Sequence, residues 1–153
     1  MPAAQKSREQ EESKMQINTR FGMQEIDPAS VIRFPTGLAG FEELREFKLF
    51  HEESKANVFY LQSVEDPQVQ FPVITPGSCQ VSYECTLSDE ESRLLELDDN
   101  SQVAVLVTLA KGSSDQGNIH ANFMGPIFLN VDRRVALQKP LNEISGSVVI
   151  RAE

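Results

Sequence analysis

Tryptophan is absent from this chain of 153 residues, and tyrosine, cysteine and histidine occur only twice each. Cys79 and Cys85 are too few for a disulfide framework and fit no CxxC metal or redox spacing, so reduced, idle thiols are expected. His51 and His120 stand apart, without HExxH or His-x-His spacing, which leaves no ligand supply for a zinc-type site. No GxSxG elbow marks a nucleophilic serine. Positive charge is also short: 14 basic against 23 acidic residues give a net charge of -9, which repels nucleic acid and anionic membrane alike. RNA binding by stacking would need aromatics among Lys and Arg, whereas the phenylalanines lie in apolar or acidic contexts. A basic protein is the natural counterpart of such a surface. Apolar runs stay well short of the roughly 20 residues of a membrane span, and the start "MPAAQKSREQEESK" lacks a signal-peptide core, so a cytoplasmic protein is expected.

What is present suits one mainly β domain. An apolar fraction of 40% over this length supports a core without metal or disulfide staples. Residues 1–14 are polar and charged and cannot bury enough to offset ordering, so they read as a disordered tail before a single domain over residues 15–153. From Met15 onward, short β-branched and aromatic runs alternate with turn residues. Ile17, Thr19 and Phe21 suggest a first strand with a bend at Gly22, followed by "SVIRF"; "FKLFH" and "VFYLQS" suggest a pair. Pro72 inside "VQFPVIT" points to a sheet edge or bulge. "QVAVLVTLA" reads as a strand buried on both faces, and "IHANF", "GPIFLNV", "VALQ" and "SVVI" complete the series. In "LSDEESRLLEL", Ser88 with Glu91 three residues on forms a capping box, predicting a helix of two to three turns; "GFEELREF" suggests another short one. The expected fold is a small antiparallel β-barrel-like domain with one or two short helices.

Three stretches stand out. "RFPTGLAGFEEL" lacks the Lys-Ser or Lys-Thr of a P-loop and the third glycine of a dinucleotide fingerprint, so Pro35, Gly37, Gly40 and Phe41 read as a structural corner. Acidic residues concentrate at Glu42, Glu43, Glu46, Glu52 and Glu53, and again around Glu90 and Glu91, where Arg93 is the only basic residue between Glu84 and Asp99. Most such runs are solvated faces. In "NFMGPIFLN" the proline lacks a ladder donor, which kinks the strand or confines it to an edge; Phe123 and Met124 are either displayed there or folded into the core. A second class of function stays open: a small-ligand-binding or hydrolytic barrel with a carboxylate pair such as Asp66 and Glu84.

These blocks carry a resemblance. "FPTGLAGFEE" resembles the FPxGLPGFE signature of the flagellar assembly factor FliW family, "LQSVEDPQVQFPVITP" is similar to its LQS…P…F.V..P block, and "NFMGPIFLN" resembles its NLxAPxxxN segment. The likeness runs in order from about Ile17 to about Gln138. It departs from the pattern at Ala39 (Pro), Phe123 (Leu) and Gly125 (Ala). The resemblance implies a cytoplasmic, barrel-like, non-enzymatic monomer without cofactors. It also implies partner switching: binding and antagonising the RNA-binding translational repressor CsrA, or binding flagellin as a chaperone does, so that flagellin export relieves repression of flagellin mRNA. Asn122, Phe123, Met124, Pro126, Asn130, Glu90 and Glu91 are the candidate partner-binding residues.

Overall fold

The first strand, β1 (Met15–Thr19), turns through Arg20 and Phe21 into β2 (Gly22–Ile26), an antiparallel hairpin in a computed structural model that describes residues 14–51, 54, 58–76, 87–111 and 119–141. The expected tail apart from Lys14, both cysteines, Glu52, Glu53, Glu84 and "SVVI" lie outside the described residues. Arg20 and Phe21 keep negative φ, and Gly22, with φ +98°, takes the left-handed position that follows the turn. Strand β2 is a correction to the sequence reading, which placed Phe21 in β1 and only a bend at Gly22. Ile26 is its one buried residue, so no apolar alternation announces it.

Among the described residues eight further strands follow: β3 (Ile32–Arg33), β4 (Glu46–His51), β5 (Val58–Ser63), β6 (Gln70–Ile74), β7 (Val103–Lys111), β8 (Ile119–Ala121), β9 (Ile127–Asn130) and β10 (Val135–Gln138). Seven of them close a barrel in the order β3-β4-β5-β6-β7-β9-β10, with β8 appended to β7. All neighbours are antiparallel except at the seam, where β3 meets β10 in parallel through Arg33 and Val135. Pro72 faces Tyr60 on β5, while the pairing of β6 with β7 begins one residue later at Val73. The missing N–H therefore falls where β6 is still an edge.

Inward residues of alternating position fill the barrel: Ile32, Phe47, Leu61, Val73, Leu106, Ile127 and Leu129, joined by Phe34 and Leu38 from the corner after β3. A second, smaller core lies on the outside of β7, β9 and β10, where Val105, Phe128 and Leu137 receive Leu94 and Leu95 of the helical segment. Middle residues of β7 are thus packed on both faces, which is why its sequence is continuously apolar. The β1–β2 hairpin covers another wall. Arg20 N–H donates to Gln62 Oε1 at 3.3 Å, and the Phe21 ring meets Tyr60 edge-on at 5.9 Å. Gln62 is fully buried, and its amide donates to the carbonyls of Pro67 and Val69 in the β5–β6 turn.

Candidate functional site

The corner consists of two successive turns. Gly37 N–H donates to Phe34 O at 2.9 Å, with Pro35 at the second turn position, and Phe41 N–H donates to Leu38 O at 2.8 Å, with Gly40 at the third. Gly37 has φ +68° and Gly40 φ +84°. A Cβ on Gly37 would lie 2.6 Å from Glu42 Cα, whereas one on Gly40 would meet open space. The Arg45 guanidinium fastens the corner from outside by donating to Glu42 O at 2.7 Å and to Pro35 O. Leu38 points into the core, while Phe41 keeps 38% of its surface exposed and rests edge-on against Phe71. Turns occupy the place of the second short helix expected in "GFEELREF".

Helix α1 (Asp89–Leu94) begins with the expected capping box: Ser88 Oγ accepts from Glu91 N–H at 3.1 Å, and Glu91 Oε1 accepts from Ser88 N–H at 2.7 Å. It is shorter than the two to three turns predicted. Leu95 docks into the outer core and Glu96 takes φ +54°, which ends the helical path. Glu90 is exposed; Glu91 is mostly covered, because its carboxylate also receives the Lys139 ammonium at 2.6 Å. That ammonium, with the Ser88 N–H second, holds the Glu91 carboxyl below the ordinary glutamate range.

The segment between β8 and β9 is a turn. Asn122 and Met124 are exposed, Met124 by 38%, and Phe123 is half-buried. Pro126 and Asn130, expected among the residues a partner would touch, are fully buried in this structure. Asn130 instead donates to Leu95 O at 2.8 Å and accepts from Asp132 and Arg133 N–H, tying the end of α1 to the β9–β10 turn.

Corner, turn and helix are joined by two residues that the sequence reading did not single out. Gln138 Oε1 accepts from Ala39 N–H at 2.9 Å, and its Nε2 donates to Gly125 O at 3.0 Å. Lys139 donates its backbone N–H to Pro126 O at 3.0 Å and its ammonium to Glu91. Leu141 N–H completes the series on Met124 O at 2.7 Å. The available signal was a polar pair closing the apolar run of β10. Two departures from the resembled pattern bear on this clasp. A proline at 39 would have no N–H to give, and a Cβ on Gly125 would lie 2.8 Å from Gln138 Nε2.

Elsewhere, Asp66 lines a shallow pocket of about 380 Å³ with Phe41, Glu42 and Glu43. Its Oδ1 accepts from Gln68 N–H at 3.0 Å, a turn-forming contact, and its expected partner Glu84 is outside the described residues. Among the described residues no group of three potential ligands is placed to hold a metal ion, and no helix is long and apolar enough to cross a membrane.

A family model described as FliW protein matches residues 15–151. The flagellar assembly factor FliW of Azoarcus sp. (strain BH72) is 41% identical over 136 residues, covering 86% of this chain and 93% of the relative. Flagellar assembly factor FliW 1 of Desulfotalea psychrophila is 33% identical over 128 residues, covering 83% and 91%. A crystal structure of the flagellar assembly factor FliW superposes with a TM-score of 0.74 at 31% identity, covering 86% of this chain and 92% of that one.

Proposed function

From the premise that the chain belongs to the FliW family of flagellar assembly factors, we propose that it is a non-enzymatic protein-binding regulator that captures the translational repressor CsrA and, alternatively, flagellin. Family membership is the observation that carries this reading, and the charge of the chain agrees with it. A repressor that holds RNA must present cations, and a protein of net charge -9 attracts such a partner at long range. Exposed Glu42 and Glu43 next to Phe41, with exposed Asp89 and Glu90 on α1, supply that attraction. Competition between the two partners would couple flagellin export to relief of repression.

Titration calorimetry of the purified chain against CsrA and against flagellin tests the proposal. Saturable binding of both is expected, together with restored translation of a flagellin-leader reporter when the chain is added to CsrA. Absence of binding to either partner at tens of micromolar would refute it.

A further inference from the structure

Phe41 and Met124 are far apart in sequence, yet each lies within two residues of a group bound by one side chain. Gln138 bonds Ala39, two residues before Phe41, and Gly125, the neighbour of Met124. We infer that Phe41 and Met124 are the apolar anchors of one composite docking surface for a basic protein partner, with Gln138 and Lys139 as its positioning residues. The inference rests on the function proposed above and adds which surface is used and what aligns it.

Each anchor is an apolar side chain left partly exposed although the buried core is close by. Phe41 stands on a turn fixed by Gly40 and Arg45, and Met124 on a turn whose carbonyl is held by Leu141, so both are presented on fixed backbone. A few apolar anchors carry most of the energy of a protein interface, and anchors on a fixed backbone leave only the side chain to be ordered on binding. Charge decides the kind of partner. Glu42 and Glu43 follow Phe41 directly and Asp66 lines the same pocket, against the Arg45 guanidinium that is held on the Pro35 and Glu42 carbonyls, while the Lys139 ammonium is neutralised by Glu91. The rim is therefore acidic, and the occupant that complements it presents Lys or Arg around an apolar contact.

The experiment measures binding of purified CsrA to the full chain and its variants, with thermal melting alongside. Met124→Ala and Phe41→Ala should each weaken binding at least fivefold. Met124→Lys should weaken it at least twentyfold, since it sets a like charge against a basic partner. Glu42→Gln with Glu43→Gln should slow association and flatten its salt dependence. Gln138→Ala should weaken binding at least threefold in the parent and leave binding of the Phe41→Ala, Met124→Ala double variant unchanged, although its effect on melting persists in both backgrounds. A merely structural Gln138 would give the same binding loss in both. If the parent binds CsrA and Met124→Lys binds equally well, the surface is wrong and the proposed function stands. If the parent does not bind CsrA, both fall.

Discussion

Ala39 and Gln138, at opposite ends of the barrel sequence, are joined by a hydrogen bond of 2.9 Å from the backbone N–H of one to the side-chain oxygen of the other. Through its amide, the same glutamine reaches Gly125 O, so the corner after β3 and the turn before β9 share one connector.

Ala39→Pro removes the donor, while proline suits the second position of the turn. Gly125→Ala places a methyl 2.8 Å from Gln138 Nε2 and 2.9 Å from Asn122 Nδ2, displacing the connector. The expected outcome is coupling: Ala39→Pro should be more favourable by roughly 0.5–1.5 kcal/mol in the Gly125→Ala background than in the parent, because the bond it removes is already gone. Denaturant midpoints of the four chains measure this, and strictly additive effects would separate the two sites.

Glu91 should impose a pH dependence. Its carboxyl is held low mainly by Lys139, so its contribution to stability is complete above the usual glutamate value of about 4.3 and is lost as pH falls through the lower value of the folded state. The difference in unfolding midpoint between the parent and Glu91→Gln should be constant above about pH 6 and shrink as pH falls below about 5. A difference that does not change across that range would mean the ion pair contributes nothing.

The two corner glycines should differ in tolerance. Both have positive φ, which costs an L-residue roughly 1–2 kcal/mol. Gly37→Ala adds a collision with the backbone of Glu42, so it should destabilise clearly more than Gly40→Ala, whose Cβ meets open space. Melting temperatures of the two variants decide it.

Asn130→Ala should act on the helix from a distance. It strips Leu95 O of its buried partner and leaves the Asp132 and Arg133 N–H groups without their side-chain acceptor, at a cost of roughly 2–3 kcal/mol. Hydrogen exchange should quicken over residues 89–95 more than in the barrel strands.

Local chemistry was well legible in the chain. Ser88 and Glu91 announce the capping box because both partners lie within one turn of sequence, and the glycine pair announces a corner because both alternatives need residues that are missing. The β4–β5 pairing follows from two apolar runs across a polar loop. What escaped depends on distant neighbours. Asn130 looks like a surface residue until the end of α1 is laid over it, and Gln138 looks like an ordinary strand end until Ala39 and Gly125 arrive beside it. β2 escaped because the hairpin offers a mostly polar outer strand.

The parallel seam between Arg33 and Val135 sets an order of events during synthesis. These positions are separated by roughly a hundred residues, so while β3 to β6 can form a meander as they emerge, the cylinder stays open until β10 has been made. For that interval β3 presents an unpaired edge able to accept a foreign strand. Yield from a cell should therefore respond to translation speed and temperature more steeply than the stability of the finished protein does.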